Sequence, residues 1–284
     1  MSSHSKAQQT LLRFLFILTA FALLNGCSSD KVKKEDPYAN WTAKDFYVEA
    51  KNDLRLAEFE SAIKKLETLE ARHPFSSYAK QAQLDVAYAY YKFEEPDSAI
   101  SAVKRFIRLH PRNQHIDYAL YLKGLANFYR GVGLLDEWFP RNIAEHDAKN
   151  LKQALKDFKY LIRRYPESIY APDAYLRSIY LYNKLAESEI VAADYYILRE
   201  AWIAAVNRAQ NVIKYYQNSP VRNRALDIMV MAYDKLGMTK LADDTRQIRA
   251  MNPVTDTNSL SSLQTKEILQ NKTPATPVIT KAAK

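Results

Sequence analysis

The chain has 284 residues, 48% of them apolar and 26% charged, with five glycines and a single cysteine. One cysteine cannot make an internal pair, so a disulfide framework is excluded and any fold must stand on core packing. The formal net charge is +9; it fits an acidic partner or a lipid surface, but no basic stripe is interleaved with aromatics as in a nucleic-acid groove.

The first 26 residues read as a targeting segment. Lys6 and Arg13 give a short basic start, and an apolar run from Phe14 to Leu24 follows. That run has the length of a signal-peptide core and is too short to span a bilayer. It ends in Leu24-Asn25-Gly26-Cys27, which resembles the bacterial lipobox. The resemblance implies cleavage before Cys27 and covalent lipid on that residue, as an N-acyl and an S-diacylglycerol group. No other cofactor is expected. Several acyl chains, at roughly 0.8 kcal/mol per buried methylene, make a durable anchor. Ser28 and Ser29 follow where inner-membrane lipoproteins often carry Asp, so this resemblance points to the outer membrane, facing the periplasm. Export also argues against nucleic acid as a partner. Removing residues 1–26 takes Lys6 and Arg13 and no acid, leaving +9 − 2 = +7 on 284 − 26 = 258 residues.

Residues 27–40 read as a lipidated polar tether. Residues 41–251 are long enough for one elongated domain. The stretch 252–284 is rich in Ser, Thr, Asn and Pro and is predicted to be a disordered tail.

Few glycines and long Ala/Leu/Tyr/Lys/Arg stretches argue against sheets, and the informative signal is spacing. Pro74 and Pro111 lie 37 residues apart, each directly after a histidine. Ala62, Leu66 and Leu69 precede Pro74 by 12, 8 and 5 residues. Ala99, Val103 and Phe106 stand at the same distances before Pro111, and Ala154, Phe158 and Leu161 before Pro166. That spacing places each set on one helical face. Ala82, Ala119 and Ala174 each follow a proline by eight residues. The pattern resembles the tetratricopeptide repeat, in which a small residue is needed where two helices approach; Ala50, Ala87 and Gly124 can fill that place. The fold class is therefore all-α, an α-solenoid of about five helix pairs.

The first pair runs from Thr42 to about Leu56 and from Phe59 to Arg72, opened by a capping-box pattern of Thr42 with Asp45. The second spans Ser77 to Phe93, then Asp97 to His110, entered through Pro96. The third opens at Asp117 and resumes near Asp147 to Tyr165. The fourth starts at Pro172 and continues through a long helix ending near Tyr216. The fifth runs from Pro220 to Leu236, turns at Gly237, and closes from Thr239 to about Arg249. Pro111 and Pro166 are 55 residues apart, 18 beyond the earlier interval. The surplus, residues 131–148, includes Trp138 and Phe139, which suggests a contact role.

Nothing assembles into a catalytic or metal constellation, so an enzyme is not expected. His4 falls in the targeting segment, and His115 and His146 form no ligand pair. His73 and His110 occupy equivalent helix ends, where a cationic ring would meet the negative end of the dipole. No glycine-rich phosphate loop is present.

The surplus is aromatic: 20 tyrosines, many on first helices. In register, Tyr47, Leu54, Leu84, Tyr88, Tyr91, Tyr121, Leu125 and Phe128 turn toward one groove, although each could equally be inter-helix core. As a set, Tyr47, Tyr88, Tyr91, Tyr121 and Phe128 suit an extended client peptide with apolar and aromatic side chains. A second surface on the fourth repeat combines Arg199, Trp202, Val206 and Arg208, a mixture common at protein interfaces.

Several stretches resemble one family. They are His73-Pro74-Phe75-Ser76-Ser77-Tyr78, Gln83 through Lys92 (QLDVAYAYYK), Arg105 through Pro111 (RFIRLHP), and Ile116-Asp117-Tyr118. Tyr195-Tyr196 before Arg199, and Ala201-Trp202 before Ala205-Val206-Asn207-Arg208, complete the set. With the lipobox and five repeats, these are similar to the BamD lipoproteins of the outer-membrane β-barrel assembly machine. The likeness covers nearly all of Cys27 to Met251, apart from the insertion. It implies a scaffold that holds the barrel-forming subunit through carboxy-terminal repeats, where Arg199 and Arg208 fall, with accessory lipoproteins as further partners. The amino-terminal repeats would receive unfolded outer-membrane proteins. The rival expectation is a periplasmic tetratricopeptide adaptor regulating cell-wall hydrolases.

Overall fold

The computed structural model describes residues 36–130 and 148–252. Cys27, the targeting segment, the 131–147 insertion with Trp138 and Phe139, and nearly all of the expected tail lie outside these residues. The chain divides into two compact units, one ending at Trp41 and one beginning at Thr42. Of the first, residues 36–41 form a turn in which Trp41 N–H donates to the Tyr38 carbonyl at 3.2 Å. The Tyr38 and Trp41 rings meet edge to face at 4.7 Å.

Ten helices and no strand are present among the described residues. They are α1 (Ala43–Arg55), α2 (Phe59–Arg72), α3 (Ala79–Lys92), α4 (Pro96–Leu109) and α5 (Ile116–Tyr129). After the insertion come α6 (Ala148–Arg164), α7 (Ala171–Leu198), α8 (Trp202–Tyr215), α9 (Arg222–Lys235) and α10 (Thr239–Ala250). Each packs on the next, and first helices also touch across repeats: α1 on α3, α3 on α5, and α7 on α9. This is the expected solenoid of five helix pairs.

Sequence period explains the packing. Ala62, Leu66, Leu69, Ala99, Val103, Phe106, Ala154, Phe158 and Leu161 are all buried, none more than 1% exposed. Ala50, Ala82, Ala87, Ala119 and Ala174 are completely buried as well. The chain starts its first helix as anticipated: Thr42 and Asp45 form both bonds of a capping box. The fourth repeat keeps the spacing without its proline. Ala205, Ala209 and Val212, all fully buried, stand 12, 8 and 5 residues before Gln217.

The expected long helix from Pro172 to near Tyr216 is in fact two. α7 stops at Leu198, the chain turns through Arg199–Ala201, and α8 folds back from Trp202. Glu200 adopts a left-handed φ of 55°, and Ala201 N–H donates to the Tyr196 carbonyl at 2.9 Å. That bond closes a Schellman motif, which ends a helix. Ala57 (φ 61°), Glu94 (φ 60°) and Gly237 (φ 69°) hold the same place in repeats one, two and five.

Candidate functional site

The tyrosines of the first helices surround two buried charges. Asp85, on α3, is 1% exposed. It accepts from Lys51 Nζ at 3.2 Å and Gln81 Nε2 at 2.9 Å, and the Tyr47 hydroxyl also donates to it. Burial pushes the Asp85 carboxyl above its ordinary range, against the opposing pull of Lys51 and these hydrogen bonds. Tyr47 is raised in turn, by burial first and by the Asp85 charge second. Its ring packs on Tyr78 at 5.1 Å. Tyr88 lies one turn beyond Asp85 and is half-buried, with its hydroxyl raised by burial and by the same carboxylate.

The second charge is Arg177 on α7, only 1% exposed. Its Nε donates to Asp173 at 2.5 Å and its Nη1 to the Tyr129 hydroxyl at 3.3 Å. The guanidinium lies 5.4 Å from the centre of the Phe128 ring. Burial works against this charge, but the hydrogen bond and charge of Asp173 outweigh it and raise the pKa. Tyr121 donates from its hydroxyl to Asp173 at 2.6 Å and stacks on Tyr170 at 5.0 Å.

This geometry divides the expected groove residues. Tyr47, Tyr88 and Tyr91 are partly exposed, as is Leu54. Tyr121 (3% exposed), Phe128 (6%), Leu84 and Leu125 (1% each) are core instead. They cannot line an open groove, because α5 is covered on nearly every face by α3, α4, α6 and α7. Tyr91 also packs against Tyr129, at 6.2 Å. Sequence reasoning missed Lys51, Asp85, Asp173 and Arg177. The available signals were an acid inside the apolar run Leu84-Asp85-Val86-Ala87 and an Asp four residues before an Arg on one helix.

At the fourth repeat, Arg199 is exposed at the turn and lies over the Tyr195 ring at 4.8 Å. Tyr195 meets Tyr196 edge to face at 5.6 Å, and Arg208 lies 6.0 Å from the Tyr196 ring centre. Arg208 also bridges to the buried Glu189 at 3.3 Å. Its pKa is raised, first by the hydrogen bond to Tyr196 and then by Glu189. Val206 is buried, and Trp202 packs partly buried against Val206, Ala232, Tyr233 and Ala242. The two arginines and the tyrosine pair thus share one face, while Trp202 and Val206 belong to the core behind it.

The expected cationic ring at His110 is also corrected. Burial and the nearby Lys80 charge lower its pKa, against Glu70, and its Nε2 pairs with Gln83 Oε1 at 2.9 Å. No cluster of three or more metal-binding side chains occurs among the described residues. No described helix is long and apolar enough to cross a membrane.

The family model of the outer membrane lipoprotein YfiO matches residues 39–248. The outer membrane protein assembly factor BamD of Vibrio cholerae serotype O1 is 38% identical over 237 residues, covering 84% of this chain and 97% of that protein. The chain belongs to the BamD family. BamD of Neisseria meningitidis serogroup A is 38% identical over 242 residues, 84% of this chain and 91% of that one. BamD of Xylella fastidiosa strain Temecula1 is 34% identical over 236 residues, with coverage of 83% and 80%. Both clusters, around Asp85 and around Arg208, fall inside the matched residues 39–248. A crystal structure of MamA aligns over 71% of this chain and 92% of that chain, with a TM-score of 0.36 and 17% identity. That superposition is too distant to inform the site.

Proposed function

We propose that this BamD-family chain is a scaffold in outer-membrane protein assembly, held at the inner surface of the outer membrane by lipid on Cys27. The carrying observation is the match over residues 39–248 to an outer membrane lipoprotein family, with relatives named as outer membrane protein assembly factors. Unfolded client segments dock on the partly exposed Tyr47, Tyr88 and Tyr91, where aromatic rings offer contact area at little cost in side-chain entropy. The Tyr195, Tyr196, Arg199 and Arg208 face binds the barrel-forming subunit, and accessory lipoproteins join the same assembly. The scaffold acts by holding partners rather than by turning over a substrate.

Depletion of the protein in its host tests this reading. Outer-membrane barrel proteins should fall, and affinity purification from membranes should recover a barrel protein with periplasmic domains. Normal barrel levels with altered murein would overturn the assignment in favour of a cell-wall adaptor.

A further inference from the structure

A different face of the solenoid carries an unbalanced charge. α4 and α6 flank α5, and a cleft of about 970 Å³ opens between them. Lys152, Lys156, Lys159 and Arg163 line one wall on α6, spaced by four, three and four residues. That spacing makes a single stripe along the helix, about 16 Å long at 1.5 Å per residue. Lys104 and Arg108, one turn apart on α4, line the other wall. All six side chains are exposed. The floor is apolar, made by the buried Leu120 and Leu155, the half-buried Ile107 and the exposed Tyr160.

Elsewhere the protein pairs many of its cations: Lys51, Lys65, Arg105, Arg177, Arg208, Arg224, Arg246 and Arg249 each meet a carboxylate. In the cleft the one acid, Asp157, is buried and already bonded to Lys123 at 2.8 Å, Asn127 at 2.7 Å and Gln153 at 2.9 Å. None of the six wall cations meets a carboxylate among the described residues. Lys159 makes one other contact, 5.5 Å from the centre of the Tyr182 ring. Six like charges over an apolar floor repel one another, and an anionic occupant relieves that repulsion.

We propose that this cleft docks an acidic peptide segment of a partner protein, with apolar side chains between its carboxylates. A linear array over three helical turns fits a chain of repeated charges better than a single phosphate headgroup, which presents its charge at one point. The apolar floor then receives the intervening side chains. This surface lies mainly on second helices and is independent of the tyrosines assigned to clients.

The full chain, in detergent, is titrated by fluorescence anisotropy with a labelled peptide bearing Glu at i, i+4, i+7 and i+11 and leucines between, and with its Gln counterpart. The Glu peptide should bind about tenfold tighter at low salt, with much of the difference lost near 0.15 M. Lys152→Glu with Lys156→Glu should weaken the Glu peptide by about tenfold, while Lys44→Glu with Lys240→Glu, distant and exposed, should change it by less than about twofold. Lys152→Gln with Lys156→Gln, checked for unchanged helicity, should show a smaller loss in the same direction. Equal affinity for both peptides, or equal losses in the two Glu pairs, overturns the proposal. So does binding to phosphatidylglycerol vesicles that Lys152→Glu with Lys156→Glu abolishes while peptide affinity stays unchanged; that result assigns the cleft to lipid headgroups.

Discussion

Gly124 on α5 meets the ring of Phe158 on α6 so closely that a methyl group at its Cβ position would lie 2.5 Å from Cε1 and 2.7 Å from Cδ1. Phe158 is fully buried, so its ring has little room to yield. Gly124→Ala should therefore overpack the interface and destabilise the fold by about 1–3 kcal/mol, despite the better helix propensity of alanine. Urea denaturation of the purified protein measures this directly. A gain in stability would mean that the third repeat repacks freely.

The turns inside the repeats give a prediction of the opposite sign. Ala57, Glu94 and Glu200 sit at left-handed φ, a conformation that costs an L-residue roughly 1–2 kcal/mol and costs glycine nothing. Replacing any of them by glycine should stabilise the protein, by less than that strain because glycine also loosens the unfolded chain. Gly237→Ala should destabilise it by about 1 kcal/mol, from conformation alone, since a Cβ there meets nothing within 4 Å. Thermal midpoints of the four variants, compared at one scan rate, decide the matter.

These two features show what local pattern can and cannot reveal. The triplets before Pro74, Pro111 and Pro166 are legible because helical period and proline punctuation coincide. The break after Leu198 is not, because no glycine or proline marks the Arg199–Ala201 turn, and Gln217 stands where the first three repeats carry Pro74, Pro111 and Pro166. The groove expectation failed for Tyr121 and Phe128 for another reason. α5 buries consecutive residues from Tyr118 to Leu122, and a helix buried all round has no polar face from which to read direction. Arg177 and Tyr121 meet at Asp173, with Tyr121 and Asp173 separated by 52 positions. Such a contact depends on how repeats stack, which no local pattern encodes.

The tyrosines now separate into two experimental classes. Tyr121→Ala and Phe128→Ala should cost on the order of 3–5 kcal/mol, as loss of a buried aromatic does, and any loss of client binding would follow from unfolding. Tyr88→Ala should leave the helical signal and thermal midpoint near wild type while weakening a client-derived peptide by about tenfold, close to 1.4 kcal/mol. Isothermal titration alongside circular dichroism distinguishes the classes. Undiminished affinity in a folded Tyr88→Ala protein with Tyr91→Ala added would remove these residues from the client surface.

His110 gives a pH dependence with a defined sign. Its pKa is lowered in the fold from an ordinary 6.5, by burial and the Lys80 charge. The unfolded chain therefore takes up a proton before the folded one as pH falls. Stability from this group is complete above 6.5 and drains away as pH drops through the lowered folded value. His110→Gln, which keeps a donor for Gln83, should flatten that part of the profile. Urea midpoints measured from about pH 7.5 to pH 5 test this, with histidine NMR titration locating the residue responsible. An upward-shifted His110 resonance titration would contradict the assignment.

Charge reversal at the fourth repeat must account for what each arginine already does. Arg208 holds the buried Glu189 at 3.3 Å and bonds to Tyr196. Arg208→Glu would place two carboxylates together and leave Glu189 with Asn211 as its remaining partner, at 3.0 Å. Such a variant should lose stability and partner binding together, so it cannot by itself identify an interface. Arg199 is exposed and its described contact is the Tyr195 ring. Arg199→Glu should leave the thermal midpoint unchanged and, if this face binds the proposed barrel-forming subunit, lower its recovery in affinity purification, with a stronger effect at low salt. Full recovery with Arg199→Glu, beside a loss with Arg208→Glu that tracks its lowered stability, would show that this face is structural and that the partner binds elsewhere.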